Sequence, residues 1–416
     1  MAARSNRLLV VHFTAPPRIG GLEIAAWELA AAACRAKGWE ALLITGTQAP
    51  ANPNLDEPPR VVIPELSTGY ELNREIFKDF RIAVKHPGTE SVAATIREKL
   101  NAIISQGDLV VSFNCFSLPY NIALTSALWQ ITSSRSDFYH LTWSWDLCTS
   151  EKEYNWERKE EWPWRLMWSL CPGLKYAACT RAVAATQADA IGVGRPTIEV
   201  IPGGINPYRA LRLNATISKV FERRKLLQAY PLIFMPAKIS KRKDIPKAIR
   251  VLRALRARFP LAHLIIAGSP SPHDASVSLI SADLRRDINR LGLTGAVTVL
   301  AWEEEFDQNI QFEDSMSVTA MADALLFTST NEGFLFPILE AGLHNIPIFI
   351  PSHDSLLSWA SSYAHVYEKS ASPDAISESI FKVFHDQNQN RKFQFRTQFV
   401  WDDIFYRHFA ARMLQQ

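Results

Sequence analysis

Ser329-Thr330-Asn331-Glu332-Gly333-Phe334-Leu335-Phe336-Pro337-Ile338-Leu339-Glu340-Ala341 is the stretch from which the fold is read. It follows Ala324-Leu325-Leu326-Phe327, an apolar run with the length and bulk of a buried strand. Pro337 stands where a first helical residue belongs, and Ile338, Leu339 and Glu340 continue a helix. The segment therefore reads strand, tight loop, helix N-terminus. The N–H groups of Gly333 to Phe336 are the unpaired donors of that helix start, with Glu332 on the loop and Glu340 in the first turn or so of the helix. A diphosphate fits such a cradle, and a carboxylate at each end suits hydroxyl pairs such as those of a sugar and a ribose. The alternative is a glycine loop that merely joins a strand to an amphipathic helix.

With 416 residues the chain is long enough for two domains, each able to bury its own core. A hydrophobic fraction of 47% with 21% charged residues is that of a soluble globular protein, and a net charge of +3 argues against wholesale nucleic-acid binding. The cysteines at 34, 115, 148, 171 and 179 are scattered and form no Cys-x-x-Cys pair. They read as reduced thiols of a cytoplasmic protein, neither a disulfide framework nor a zinc site. The basic start through Arg7 leads into an apolar run of only Leu8 to Val11, a first strand and too short for a signal peptide. No apolar run approaches the ~18 residues of a membrane span. Peripheral contact with the inner face of a membrane stays open. There is no internal repeat.

Outward from the opening stretch, the same alternation recurs. Leu8-Leu9-Val10-Val11 is a parallel-type strand, a helix runs from Leu22 to Gly38, and Ala41-Leu42-Leu43-Ile44 is the next strand. This βαβ unit sets Gly20 and Gly21 at the carboxyl end of its first strand, where glycine lets backbone approach a ligand. Residues 48 to 64 read as an exposed loop or insertion. Val61-Val62-Ile63 and Asp108-Leu109-Val110-Val111-Ser112 are further strands, with a helix over 91–105 between them. Tryptophans 129, 143, 145, 156, 162, 164 and 168 gather among acidic and basic residues. Their faces suit sugar platforms or membrane-interface anchors, and equally the packing of a loop onto its domain. The strand Ile198 to Ile201 stops at Pro202-Gly203-Gly204, which marks a linker and puts a domain boundary near Asn206.

The second half restarts with the strand Leu232-Ile233-Phe234-Met235, the cationic loop Lys238-Ile239-Ser240-Lys241-Arg242-Lys243-Asp244, a helix over 245–259 and the strand 262–268. A run of cations is usually a solvated loop. This one follows the first strand of a βαβ unit, on the same edge as Glu332. Further strands are expected at 297–300 and 347–350, a short helix at 318–323 and a longer one at 373–388. The tail from Val400 is amphipathic.

Five ordered landmarks together resemble the retaining glycosyltransferases of family 4: Gly20-Gly21-Leu22-Glu23, Trp145-Asp146, Pro202-Gly203-Gly204-Ile205-Asn206, Lys238-x4-Lys243 and Glu332-x7-Glu340. The resemblance spans almost the whole chain. It implies an α/β protein of the GT-B fold, two Rossmann-like doubly wound domains facing a central cleft. The acceptor-side domain would be 1–205, with a terminal helix at 400–416 packing back on it, and the nucleotide-sugar domain 206–399.

The resemblance further implies that Glu332 is the catalytic carboxylate and Glu340 the ribose ligand. Lys238, Lys243, Gly21, Gly333, Phe334 and Leu335 would meet the donor diphosphate. Gly20, Trp145, Asp146 and His140 would form the donor-sugar and acceptor pocket, and Trp302 would stand where the base lies. The chain departs from the family where Trp145 replaces a histidine, Lys238 an arginine and Leu335 a glycine. Lysine cannot make the bidentate fork of arginine, and indole cannot accept a hydrogen bond. With no Asp-x-Asp at a strand end, no metal and no cofactor are expected, the cationic loop taking that role. The implied reaction moves a hexosyl or pentosyl group from a nucleoside-diphosphate sugar to a hydroxyl of a carbohydrate, glycoside or lipid-linked acceptor. A non-catalytic nucleotide-sugar or glycan-binding protein on the same scaffold is the alternative, and a GT-B epimerase or phosphorylase is a third reading that the paired glutamates disfavour.

Overall fold

A computed structural model describes residues 6–16, 20–47, 57–148, 159–269, 277–306, 310–332, 334–385 and 391–415. The chain divides into two compact units, Met1–Gly204 with Phe399–Gln416, and Ile205–Gln398.

The first unit is built on seven strands: β1 (Arg7–His12), β2 (Glu40–Thr45), β3 (Arg60–Val62), β4 (Leu109–Phe113), β5 (Tyr139–Ser144), β6 (Lys175–Ala178) and β7 (Glu199–Val200). All pair in parallel, in the order β3-β2-β1-β4-β5-β6-β7. Five apolar or small residues in a row, as in Leu109–Phe113, are buried throughout because helices cover both faces of such a sheet. Helices α1 (Gly21–Arg35), α2 (Glu71–Arg81), α3 (Thr89–Ile103), α4 (Ile122–Ser134) and α5 (Arg181–Ile191) supply that cover. On one face α1 packs with the terminal segment, where Trp401, Phe405 and Phe409 are buried. Phe405 meets the Trp39 ring edge-on at 5.0 Å, and Arg35 grips Asp402 with Nε at 3.1 Å and Nη2 at 2.6 Å. The other face is closed by α3 and α4. Neither α2 nor α4 is anticipated by the sequence reading. The mean hydropathy of α4 is high around most of its circumference, which hides its period.

The second unit repeats the plan with β8 (Leu232–Met235), β9 (His263–Ile266), β10 (Val297–Val299), β11 (Ala324–Leu326), β12 (Ile348–Pro351) and β13 (His365–Tyr367). They run parallel in the order β10-β9-β8-β11-β12-β13. Its helices are α6 (Pro207–Ala210), α7 (Ala215–Arg223), α8 (Ile245–Leu255), α9 (Val277–Arg290), α10 (Phe312–Met321), α11 (Phe336–Leu343), α12 (Asp354–Ala360), α13 (Pro373–His385) and α14 (Arg391–Gln398). α14 is pinned by Arg396, 3% exposed, which makes two 2.8 Å contacts with Asp323 and also donates to the carbonyls of Leu227 and Ala229. Breaking such a buried pair from one side typically costs about 3–5 kcal/mol.

Both sheets thus have the doubly wound order in which two neighbouring strands send their connections to opposite sides. That switch point falls between β1 and β4 in the first unit and between β8 and β11 in the second. Ligands of open parallel sheets bind outside the carboxyl ends of such a pair. Among the described residues no helix is long and apolar enough to cross a membrane.

Candidate active site

In the second unit the switch point brings together the loops after β8 and β11. The loop after β8 is anchored by buried Ala237 and Ile239, whose backbone pairs with Gly268 and Ser269 after β9. Lys238 lies between those anchors, exposed, and makes no ion pair among the described residues. The loop then turns at Asp244 (φ 44°), a left-handed residue that caps α8 by accepting from Lys247 N. Aspartate tolerates that conformation better than most side chains do.

Backbone and side-chain hydrogen bonds stitch the two loops together. Thr330 N donates to Arg242 O at 2.8 Å, and Thr328 Oγ1 donates to the carbonyls of Lys243 and Asp244 at 3.0 and 2.9 Å. Glu332 is 6% exposed and its carboxylate is held on both sides. Lys243 Nζ pairs with Oε1, and Arg242 Nη1 reaches Oε2 at 2.9 Å and also donates to Asn331 O. Burial pushes the Glu332 carboxyl upward, but Lys243 and Arg242 outweigh it, so its pKa lies below the ordinary value. Charge-assisted contacts of this kind leave it ionised at neutral pH. Arg242 is the member the sequence reading missed; its only signal was adjacency to Lys243.

The helix after this loop begins at Phe336 with Pro337 in its first turn. Gly333 lies outside the described residues. Phe334 is exposed and stacks on Trp359 with centroids 4.3 Å apart. Leu335 does not project outward. Its side chain is 5% exposed and packs in the core with Phe327 and Ile338, which leaves backbone toward the loop. The side chain expected in place of the family's glycine is therefore turned away. Glu340 sits in the second turn of α11, half-buried, and makes no side-chain hydrogen bond among the described residues. Burial raises its pKa. Trp302 closes a 3-10 turn after β10, and the Arg285 guanidinium covers one face of its ring at 3.9 Å.

In the first unit a pocket of about 210 Å³ opens at the β1/β4 switch point, lined by His12, Thr14, Glu23, Asn114 and neighbours. Gly20 caps α1 in extended backbone (φ −157°), and the Glu23 carboxylate folds back over its α-carbon, where a Cβ would collide. A Cβ on Gly21 would meet open space. Asn114 (φ 54°) joins the pocket to the end of β5: its Oδ1 accepts from Trp145 N at 2.7 Å, and its Nδ2 donates to Asp146 Oδ2 at 3.3 Å. Asp146 is exposed.

His140 takes another place than the sequence reading gives it, and Trp145 packs against a glycine. The Trp145 indole lies against the α-carbon of Gly203, so closely that a Cβ there would overlap the ring. Its Nε1 is buried without a partner among the described residues. Gly204 is bare for the same reason, with Trp401 against it. His140 is a correction to the expected pocket. It is 2% exposed and bonded to Ser112 Oγ (3.0 Å) and Thr132 Oγ1 (2.6 Å), and burial lowers its pKa to about 3. It stands near the start of β5, four residues and about 13 Å of strand before the carboxyl edge where ligands bind.

Of the tryptophan-rich stretch, Trp143 and Trp164 are core residues, Trp143 donating to Ile201 O and Trp164 to Phe80 O. Residues 149–158, with Trp156, lie outside the described residues. Among the described residues no three His, Cys, Asp or Glu side chains gather as a metal site.

Residues 218–398 match the family model of glycosyl transferases group 1. The match covers the second unit from within α7 to its end, and so includes both loops at the β8/β11 switch point. Comparison with curated proteins gives no match. Among solved structures the chain is similar to the N-terminal domain of Candida albicans trehalose-6-phosphate phosphatase, at 14% identity over 99% of this chain and 97% of that one, TM-score 0.42. It is also similar to Anabaena HepE in complex with UDP (16%, 98% and 99%, 0.34) and to sucrose-phosphate synthase of Thermosynechococcus elongatus (16%, 98% and 97%, 0.37).

Proposed function

We propose that the protein is a retaining glycosyltransferase of family 4 on a GT-B scaffold, moving a sugar from a nucleoside-diphosphate sugar to a hydroxyl acceptor without a metal or other cofactor. The observation that carries this reading is the convergence of Lys243 and Arg242 on Glu332 at the β8/β11 switch point, inside the region similar to group 1 glycosyltransferases.

The physical problem of the reaction is the charge that collects on the leaving diphosphate. Lys243, Arg242 and the exposed Lys238, with backbone N–H groups around Phe334 and Leu335, would donate to it. The bond from the anomeric carbon to the diphosphate oxygen breaks, and the acceptor oxygen bonds to the same face of that carbon. The acceptor proton passes to the leaving phosphate. Glu332 hydrogen-bonds the donor sugar's hydroxyls, Glu340 holds the ribose, and the backbone near Trp302 meets the base. Diphosphate oxygens and Glu332 compete for the same two cations, so donor binding loosens the ion pairs and frees the carboxylate for the sugar. Gly20, Trp145 and Asp146 border the donor sugar or the acceptor.

The test is product formation by the purified protein with a panel of nucleotide sugars and saccharide acceptors, run with and without excess chelator. Transfer that persists in chelator, with the anomeric configuration kept, is expected. Tight nucleotide-sugar binding with no transfer to any acceptor would instead mark a non-catalytic binding protein.

A further inference from the structure

We propose that His353 and Ser355, at the start of α12, are positioning residues for the reaction: they hold the loop that carries Glu332 in place while its carboxylate changes partners. The proposal rests on the glycosyl-transfer reading of Glu332 and adds to it what keeps that residue aimed once its cations turn to the diphosphate.

The order of strands sets the frame. β11 has β8 on one side and β12 on the other, so the loop after β11 is flanked by the cationic loop after β8 and by the start of α12, which follows β12. From the first side Lys243 and Arg242 hold the Glu332 carboxylate, and the proposed reaction diverts their charge to the leaving group. A carboxylate released by both keeps its place only if its backbone is held by other groups.

The second side supplies that hold at three points. His353 is 7% exposed, and its Nε2 lies 2.8 Å from the carbonyl oxygen of Ser329, which is 1% exposed. A carbonyl only accepts, so Nε2 carries the proton and the ring donates. Ser355 Oγ donates to the carbonyl of Glu332 itself. Trp359, one helical turn after Ser355 and so on the same face of α12, stacks on Phe334 with the ring planes 11° apart. Ser329, Glu332 and Phe334 thus meet His353, Ser355 and Trp359 in turn.

His353 is fixed at both ends. Its backbone N–H donates to Pro351 O at 2.9 Å, and its carbonyl accepts from Leu356 N and Leu357 N at 2.9 and 2.8 Å, where α12 begins. A ring anchored in this way leaves the loop little freedom to follow Glu332 when the ion pairs loosen. Without the ring's donor the buried Ser329 carbonyl loses this partner, and the backbone must shift to find another. A misplacement of about 1 Å can cost on the order of a hundredfold in rate, so a small shift of this loop is enough to slow the reaction measurably.

Steady-state kinetics of the full chain test the proposal. The donor is whichever of nucleotide-linked glucose, mannose, xylose and a 6-deoxy sugar the native chain turns over fastest, with a saccharide acceptor. His353→Leu and Ser355→Ala should each lower kcat by about fivefold or more and change the donor KM by less than about twofold, because other groups hold the diphosphate. His353→Gln, whose amide N–H reaches in the same direction, should restore kcat to within about threefold of the native value. In a Glu332→Gln background neither His353→Leu nor Ser355→Ala should lower kcat by more than about a further twofold, since each acts only through the native carboxylate. Equal losses in both backgrounds would mark a merely structural role and overturn the proposal. Unaltered kinetics in both single variants overturn it too, as does a His353→Gln chain as slow as His353→Leu. Ser355→Ala carries the same expectations alone should His353→Leu fail to fold, as judged by circular dichroism.

A second measurement needs no activity. The shift in denaturant midpoint that Glu332→Gln produces at pH 7 should be smaller by about half in the Ser355→Ala chain, because a loosened loop no longer sets the carboxylate against Lys243 and Arg242. Equal shifts in the two chains sink the positioning role and spare the transferase. Coupled shifts with no transfer from any donor keep the hold on Glu332 and sink the transferase.

Discussion

Arg242 Nη1 lies 2.9 Å from Glu332 Oε2, across 90 residues of sequence, while Lys243 takes the other carboxylate oxygen. Two adjacent cations on one loop thus neutralise a carboxylate on another, and the loops' own backbone hydrogen bonds keep them in step. A carboxylate so placed is preorganised for hydroxyl donors once an anion claims its cations.

Glu332→Gln should lower turnover by at least about tenfold, roughly 1.4 kcal/mol of barrier. The same change removes the competitor for Lys243 and Arg242, so binding of the free nucleoside diphosphate should hold or tighten. Steady-state kinetics and calorimetry on one preparation read both effects. Unaltered kinetics would remove Glu332 from the reaction.

Lys238→Ala and Lys243→Ala should each weaken the nucleoside diphosphate far more than the nucleoside, because only the former carries the charges these side chains face. Calorimetry with both ligands separates phosphate contact from a general effect on the site, and equal losses would mean that the loop does not touch phosphate. Glu340→Gln should weaken nucleoside and nucleoside diphosphate alike.

The depressed pKa of Glu332 has a signed consequence for stability. Its ion pairs contribute fully above the ordinary carboxyl value of 4.5, and that contribution is lost as pH falls through the lower folded value. Denaturant midpoints measured from pH 7 down to pH 3 should therefore fall more steeply for the native chain than for Glu332→Gln. Parallel curves would show that the pairs contribute nothing to folding.

Gly204→Ala should destabilise the protein by about 1–3 kcal/mol, since the new methyl meets the ring of Trp401, which is 2% exposed. Gly21→Ala, which meets open space, should leave the denaturation midpoint unchanged. A loss of nucleotide affinity in Gly21→Ala would then report a ligand close to that backbone, because the fold has not moved.

Trp145→His should reorder donor preference. An indole offers one donor and no acceptor, so the O–H of a 6-hydroxyl held there lacks an acceptor, at a cost of about 1–3 kcal/mol. Comparison of nucleotide-linked glucose, mannose, xylose and a 6-deoxy sugar should show the native chain favouring a donor without that hydroxyl and the variant favouring a hexose. A native preference for hexoses with an unchanged ranking in the variant would show that Trp145 acts only by packing on Gly203.

Taken alone, the sequence determined the strand–helix alternation of both halves, because apolar runs such as Leu8–Val11 and Leu232–Met235 and the turn residues after them are local signals, while the doubly wound order was implied only by the family resemblance. It also singled out Glu332 and Lys243, each of which follows a strand that its own apolar residues announce. Only the tertiary structure decided that Arg242 shares the carboxylate with Lys243 while Lys238 stays exposed, for partners some 90 residues apart have no signature in either segment. The inward turn of Leu335, the indoles laid on Gly203 and Gly204, and the burial of His140 against Ser112 and Thr132 are of the same kind. So is the pocket of His12 and Glu23, which exists because β1 and β4 are neighbours in space although about a hundred residues apart in the chain. Local patterning selects strand or helix; which side chain meets which is set by register and close packing, and these belong to the folded chain as a whole.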